Sequence, residues 1–193
     1  VGRAVGDDTT HQDNTNELMV KYALLKKSVV RLKGGDPIIF GRGGEEAEFL
    51  KSFNVKYEII PGITSGIGSA TYAGIPLTHR QFASSVVFVT GHEDPEKKNE
   101  VVKWKKLAKS VDTIVIMMGL SRINVISKKL IEGGMDRNMP VAVIQDGTTS
   151  KQKIVKGTIS NISNKIKRNK IKPPTNIIIG QVVELSDIIG WKK

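Results

Sequence analysis

The sequence predicts an α/β protein whose strands are largely parallel. Short runs rich in valine and isoleucine alternate along the chain with longer amphipathic stretches, and glycine, proline and polar residues separate them. This alternation is typical of parallel strands, because each parallel connection needs a crossover that a helix usually supplies. The predicted strands span residues 29–32, 56–60, 85–90, 113–118, 141–145 and 176–180.

The stretches between these strands have the apolar spacing of helices. The predicted helices span residues 14–27, 43–52, 64–73, 99–110, 121–133 and 160–169. Ser121 is placed to cap the amino end of one of them, and Gly133 with Gly134 to end it. The polar, irregular segment 76–85 predicts a boundary between two lobes, residues 1–80 and 81–193. A cleft between such lobes is where we expect a ligand.

Composition excludes several classes of function. The 193 residues include no cysteine, which rules out disulfides, thiolate zinc sites, iron–sulfur clusters and cysteine nucleophiles. The three histidines do not have the spacing of a metal-binding pair, so we expect no metal. No apolar run approaches the roughly 20 residues that a membrane span needs, and no signal peptide is visible. We therefore expect a soluble, cytoplasmic protein.

The net charge of +11 raises the hypothesis of a nucleic-acid partner. Much of the excess is paired lysine on predicted solvent-facing helix surfaces, which a solvated surface explains equally well. The densest basic cluster, residues 165–172, is interleaved with Ile166 and Ile171 rather than with aromatic residues that stack on bases. The sequence thus disfavours nucleic acid as a partner.

Two loops at predicted strand ends carry candidate binding residues. The first strand runs into Gly34-Gly35-Asp36, where close backbone approach and a carboxylate suit a nucleotide-like cofactor. A simple tight turn explains the same residues equally well. A second loop leads through Thr64 and Ser65 into a helix of small residues, so their hydroxyls either cap that helix or meet a ligand at its positive end.

Two arginines are candidates for holding ligand carboxylates. Arg42 follows the first loop, and Arg80 ends the predicted first lobe. A guanidinium binds a carboxylate through two parallel hydrogen bonds, although arginines that merely face solvent are more common.

Six blocks of the chain, in order, resemble the uroporphyrinogen-III C-methyltransferases. They are LKGGDPIIFGRGGEEAEFL, IIPGITSGIGSATYAGIPLTHR, FVTGHED, MMGLSRI, PVAVIQDGTTSKQKIVKGTI and PTNIIIGQVVEL. The resemblance implies a fold of two α/β lobes, S-adenosylmethionine in the cleft between them, and a homodimer. It also implies methylation of uroporphyrinogen III at C-2 and C-7 to give precorrin-2, on the way to sirohaem or cobalamin.

The resemblance also implies roles for single residues. Those that would hold the cofactor are Gly34, Gly35, Asp36, Ile39, Thr64, Ser65, Met118 and Gly147. Without it, Met118 would be interpreted as core packing and Gly147 as a turn glycine. Arg42 and Arg80 would clamp the substrate carboxylates. Glu45 would position the substrate or relay a proton, although a first-turn carboxylate favoured by the helix dipole is an equal interpretation.

The chain departs from the family pattern at its start. That pattern begins with a strand, a Gly-Pro-Gly-Asp loop and an aspartate that is a candidate proton acceptor, whereas this chain opens at Val1-Gly2-Arg3-Ala4. Arg3 stands where the family typically has a lysine proton donor, and arginine hardly ever gives up its proton. We therefore expect weak cofactor binding by this chain alone. The alternatives are a non-catalytic cofactor-binding or dimerisation fragment and an RNA-directed relative of the same fold.

Overall fold

The computed structural model of the protein describes residues 10–92 and 101–191. Its packing divides the chain into two compact units, Val1–Thr64 and Ser65–Lys193. The lobes predicted from the sequence, 1–80 and 81–193, are a different division of the chain and stay a prediction.

The described part of the first unit is built on two helices. Helix α1 spans Thr10–Leu24 and helix α2 spans Gly43–Ser52. Both were predicted, α2 with the same bounds and α1 beginning four residues later than observed.

The strands predicted at 29–32 and 56–60 are wrong. Neither segment belongs to a β-ladder among the described residues. A strand exists through hydrogen bonds to a neighbouring strand, and no described segment supplies that neighbour. Their apolar side chains consequently face solvent, with Val30 and Leu32 each 85% exposed and Ile60 70% exposed.

A buried charged cluster holds α1, α2 and residues 31–33 together. The carboxylate of Glu46 accepts hydrogen bonds from Lys33 Nζ at 2.8 Å and Gln12 Nε2 at 2.9 Å. Arg31 Nη2 lies 3.3 Å from the same carboxylate. Glu46 is only 5% exposed, so these partners replace the water that a carboxylate otherwise needs. The cluster anchors Lys33, the residue directly before the Gly34-Gly35-Asp36 loop.

The second unit contains a five-stranded sheet and five helices among its described residues. The strands are β1 Val86–Thr90, β2 Thr113–Met117, β3 Pro140–Gln145, β4 Lys153–Thr158 and β5 Thr175–Ile179. The helices are α3 Ser65–Tyr72, α4 Trp104–Leu107, α5 Ile123–Glu132, α6 Ile162–Arg168 and α7 Ser186–Ile189. Short 3-10 turns at Leu120–Arg122 and Gln181–Leu185 precede α5 and α7.

The prediction of a largely parallel sheet is wrong. The strand order is β1-β2-β5-β3-β4, and only β1 and β2 pair in parallel. Strand β5 lies between β2 and β3 and is antiparallel to both. Strand β4, which was not predicted, forms an antiparallel hairpin with β3. The α/β class is confirmed, with a mixed sheet.

Several local predictions need adjustment. Helix α4 covers only four residues of the predicted 99–110, of which 99 and 100 lie outside the described residues. Ser121 does not cap α5, because it lies inside the 3-10 turn before it. Gly134 ends α5 in the left-handed conformation with a φ of 93°, as predicted. Helix α7 was not predicted.

Both faces of the sheet are covered within the second unit. Alternate residues of the central strands, such as Ile114, Val143 and Ile177, pack with Trp104 of α4 and Leu130 of α5. The opposite side of the same strands packs against α3 in a separate cluster. This period-two division explains why the central residues of β2, β3 and β5 are apolar on both faces of the sheet.

One buried hydroxyl in this core predicts a stabilising substitution. Thr113 is fully buried, and its Oγ1 has no hydrogen-bond partner among the described residues. Thr113→Val is expected to raise the free energy of unfolding by about 1 kcal/mol, because it removes an unpaired polar atom while keeping the shape. Urea denaturation would measure the change. Thr158→Val is the control, since the Thr158 hydroxyl is bonded to Ser160 Oγ at 2.9 Å, and equal stabilisation by both changes would contradict this explanation.

Within residues 10–92 and 101–191, no helix has the length and apolar character that crossing a membrane requires.

Candidate functional site

Predicted binding residues of the second unit lie along one edge of its sheet. Strands β1, β2 and β3 all run in the same direction, because β2 pairs in parallel with β1 and both β2 and β3 are antiparallel to β5. Their carboxyl ends therefore lie at a single edge, together with the start of β5. Loops at such an edge are the usual binding region of α/β sheets. Met118 and Gly147 belong to these loops.

Met118 is not a core residue. It follows the last residue of β2, has a left-handed φ of 54° and is 54% exposed. The neighbouring Gly119 lies against Gly91 so closely that a Cβ on Gly91 would overlap Gly119 Cα. Gly91 is thus needed for the strand ends to approach, whereas a Cβ on Gly119 would overlap the side chain of Ile116. The thioether of Met118 remains accessible beside them.

Gly147 is required for close packing rather than for its own dihedral angles. The left-handed residues of its turn are Asp146, with a φ of 48°, and Thr148, with a φ of 71°. A Cβ at Gly147 would overlap Cβ of Ser69 on α3. The glycine therefore lets the turn after β3 pack directly on α3.

Ser65, the first residue of α3, belongs to a polar cluster that the sequence did not indicate. Its carbonyl oxygen accepts hydrogen bonds from Ser69 Oγ and from Asn176 Nδ2, the latter at 3.2 Å. Asn176 Nδ2 also donates to Ser69 Oγ at 2.8 Å. The only sequence signal for this cluster is an asparagine directly before the aliphatic run of β5.

The first unit contains the Gly34-Gly35-Asp36 loop, which Asp36 itself organises. Asp36 Oδ1 accepts hydrogen bonds from the backbone N–H groups of Ile38 and Ile39, both at 2.8 Å, and Oδ2 accepts one from Gly62 N at 3.1 Å. The carboxylate thus joins two loops that are 26 residues apart. Gly35 has a φ of 93°, which favours glycine.

These backbone donors lower the pKa of Asp36, with the N–H group of Ile39 contributing most. Because its pKa is lowered, the ionised carboxylate stabilises this pair of loops at pH values above the ordinary titration range of aspartate. The stabilisation is lost as the pH falls through the lower pKa of the folded loop. At neutral pH Asp36 is therefore an acceptor with both oxygens already oriented.

Arg42 and Glu45 pair with each other. Arg42 Nε donates to Glu45 Oε2 at 2.9 Å, and Nη2 donates to the same oxygen. This hydrogen bond is the largest cause that lowers the pKa of Glu45 and raises that of Arg42. A carboxylate with a lowered pKa is a weaker proton acceptor, so the pair favours a positioning role for Glu45 over a proton relay.

The remaining candidates are Arg80, Thr64, Ile39 and Arg3, of which Ile39 donates its backbone N–H to Asp36. The side chain of Arg80 is exposed and makes no ion pair or hydrogen bond among the described residues. Thr64 is 2% exposed and directly precedes α3, and Ile39 is 40% exposed. Arg3 lies outside the described residues. In the described ranges no group of three or more His, Cys, Asp or Glu residues could hold a metal ion.

A sequence profile of the tetrapyrrole (corrin/porphyrin) methylases matches residues 2–163. The chain belongs to the tetrapyrrole methylase family. The resemblance inferred from the six sequence blocks is thereby confirmed at the level of this family.

Relatives within the tetrapyrrole methylases match almost the full chain. An S-adenosyl-L-methionine-dependent uroporphyrinogen III methyltransferase of Methanosarcina barkeri is 46% identical over 193 residues, covering 100% of this chain and 76% of that protein. A siroheme synthase of Nitrosomonas europaea is 46% identical over 99% of this chain, which spans 40% of that longer protein. Sequence similarity thus extends beyond the profile match, to the last strand and helix.

A solved tetrapyrrole methylase structure has the same fold. The uroporphyrin-III C-methyl transferase of Thermus thermophilus, complexed with S-adenosylhomocysteine, matches with a TM-score of 0.76 and 33% sequence identity. The match covers 90% of this chain and 75% of that one.

Proposed function

We propose that this chain is an S-adenosylmethionine-dependent methyltransferase that methylates uroporphyrinogen III at C-2 and C-7, giving precorrin-2. The observation that carries the proposal is the 46% identity, over all 193 residues, to a relative named for this cofactor and substrate. The siroheme synthase match supports a place in sirohaem-type tetrapyrrole synthesis.

The cofactor-binding residues of this proposal have chemistry that fits S-adenosylmethionine. When bound, the cofactor supplies an electrophilic methyl group on its sulfonium. In the first unit, the position of a Cβ on Gly34 is open space, and Asp36 is an ionised acceptor suited to hydroxyl or amino groups. In the second unit, Ser65, Met118 and Gly147 lie where strand ends and the start of α3 meet. The chain's part in the reaction is to orient the reactants and exclude water.

Arg80 and Arg42 are the proposed contacts for the substrate carboxylates. The guanidinium of Arg80 is available, and Arg42 keeps N–H donors beyond the two that Glu45 engages. A net charge of +11 attracts a polycarboxylate over a longer range. Glu45 then fixes the direction of the Arg42 guanidinium. The homodimer and the absence of a nucleic-acid partner stay predictions.

Incubation with uroporphyrinogen III and methyl-labelled cofactor tests the proposal directly. The expected product carries two additional methyl groups by mass, and the label is retained in the tetrapyrrole. A product with no added methyl mass would overturn the proposed activity. Binding of S-adenosylhomocysteine without methylation would instead support the non-catalytic alternative.

Gly34→Ala tests the cofactor contact in the first loop. The added methyl group meets no protein atom within 4 Å, so the stability of the chain is expected to stay unchanged. If the cofactor approaches this backbone, the same methyl group obstructs it, and the affinity for S-adenosylhomocysteine should fall about tenfold, as for one lost hydrogen bond. Isothermal titration calorimetry measures this.

Gly44→Ala is the matched control, because a Cβ there also meets no atom within 4 Å but lies on α2. Equal affinities of the Gly34 and Gly44 variants would contradict the assignment of Gly34 to the cofactor site.

A further inference from the structure

Asn176 is a buried amide that directly precedes three isoleucines on β5. It is 7% exposed and is followed on β5 by Ile177, Ile178 and Ile179, which are all fully buried. Burial of an amide is unfavourable unless its donors and acceptor are bonded, so an aliphatic residue is the default choice here. We therefore expect that this amide is retained for the hydrogen bonds that it makes.

Among the described residues, all of its side-chain hydrogen bonds go to Ser65 and Ser69 of α3. Asn176 Nδ2 donates to Ser65 O at 3.2 Å and to Ser69 Oγ at 2.8 Å, and Oδ1 accepts from Ser65 Oγ at 3.4 Å. Ser69 Oγ also donates to Ser65 O, which closes the cluster. One side chain thus fixes where α3 begins relative to the central strand of the sheet.

The same residue is bordered by the two strands that lead to the other predicted cofactor contacts. In the register of the sheet, Asn176 is opposite Met117 of β2 and Ile144 of β3. Met117 directly precedes Met118, and Ile144 lies three residues before Gly147. The turn that contains Gly147 packs on Ser69, whose hydroxyl accepts a hydrogen bond from Asn176.

We propose that Asn176 is a positioning residue of the cofactor site, which sets the start of α3 against the ends of β2 and β3. It acts through Ser65 and Ser69 and through the turn that packs on Ser69. The inference rests on the proposed function, because it takes Ser65, Met118 and Gly147 as contacts of S-adenosylmethionine.

Asn176→Leu separates positioning from stability. Leucine has a similar size and suits the aliphatic strand, and Ser69 Oγ keeps Ser65 O as its acceptor, so the Tm should stay within about 3 °C of the original. Without the amide, α3 is no longer held in register. Affinity for S-adenosylhomocysteine should fall about tenfold by calorimetry, the effect of one net hydrogen bond. The KM for the cofactor should rise more than kcat falls.

Two further variants sharpen the result. Thr113→Val removes another buried polar group at the opposite end of β2 and should leave the affinity unchanged. Ser69→Ala should weaken binding less than Asn176→Leu, because Asn176 still reaches Ser65. The double variant of Asn176 and Ser69 should lose less than the product of the two single effects, since both act through one cluster.

The affinity and the Tm of Asn176→Leu together decide whether Asn176 has a positioning role. Unchanged affinity in Asn176→Leu overturns the positioning role, and so does a loss of affinity that only accompanies a large fall in Tm. Failure of the unsubstituted chain to bind S-adenosylhomocysteine overturns the proposed function, and this inference with it. Tenfold weaker binding at unchanged Tm supports both.

Discussion

Glu46→Ala is expected to lower the free energy of unfolding in the first unit by about 3 kcal/mol, the cost of breaking a buried ion pair by removing one partner. The substitution leaves Lys33, whose side chain is only 13% exposed, without its 2.8 Å carboxylate contact. Arg31 and Gln12 lose the same acceptor. Because these residues belong to different segments, α1, α2 and the chain before Gly34 should loosen together.

Hydrogen exchange of amides in α1 and α2, combined with urea denaturation, measures this loss. Glu48→Ala is the matched control, since Glu48 is an exposed glutamate on the same helix, and it should change stability by less than about 0.5 kcal/mol. Glu46→Gln keeps the shape and removes the charge, so it should fall between the two. Equal stability of the Glu46→Ala and Glu48→Ala variants would show that the cluster does not hold this unit together.

The pH dependence of the same cluster has a definite sign. Burial raises the pKa of Glu46, but the hydrogen bonds from Lys33 and Gln12 outweigh it, so the pKa is lowered overall from its ordinary value of 4.5. A carboxylate whose pKa is lower in the folded state than in the unfolded state stabilises the protein fully at pH values above its unfolded-state pKa. That stability is lost as the pH falls through the folded value. The difference between the original chain and Glu46→Ala should therefore shrink at acidic pH.

The elements that sequence patterns predicted well are those whose composition alone identifies them. Strands β2, β3 and β5 are aliphatic on both faces, and α2 has clear helical spacing between polar loops. Strand β4 was missed because its lysines, Lys153 and Lys156, and its Gly157 break the apolar run. These residues suit an edge strand, which needs only one covered side. Conversely, residues 29–32 have the composition of a strand but no neighbouring strand among the described residues. A local sequence pattern does not show whether a neighbouring strand is present.

The candidate site shows the same limit of local reasoning. The sequence indicated that Asp36 is an acceptor, but not that Gly62, far along the chain, donates to it. It marked Gly147 as special for its turn, whereas the reason is contact with Ser69. Asn176 carried no motif and became visible only through its partners. Family resemblance assigned these loops to the cofactor, which stays a prediction, while the contacts inside the loops required the fold.

Gly62→Ala is expected to weaken the binding of S-adenosylhomocysteine by about 100-fold. A Cβ at Gly62 would overlap the carbonyl oxygen of Gly35 and lie 3.0 Å from its carbonyl carbon, both of them backbone atoms. No side chain can rotate to relieve this overlap, so the two loops must separate by about 1 Å to reach ordinary contact distance. That separation breaks the 3.1 Å hydrogen bond from Gly62 N to Asp36, on which the orientation of the Asp36 carboxylate depends.

A displacement of about 1 Å at a binding site is expected to weaken binding by about 100-fold, because recognition depends on donors and acceptors that are already in place. Gly62 is exposed, so the helices of the unit should keep their structure while the loops open. Faster hydrogen exchange at the amides of Ile38 and Ile39 would report that opening without any ligand, because Asp36 accepts from both. Gly44→Ala again serves as the control. If Gly62→Ala keeps slow exchange at these amides and full affinity, the two loops do not form one binding element. If exchange accelerates while affinity is unchanged, the loops are coupled through Asp36 but the cofactor is held elsewhere.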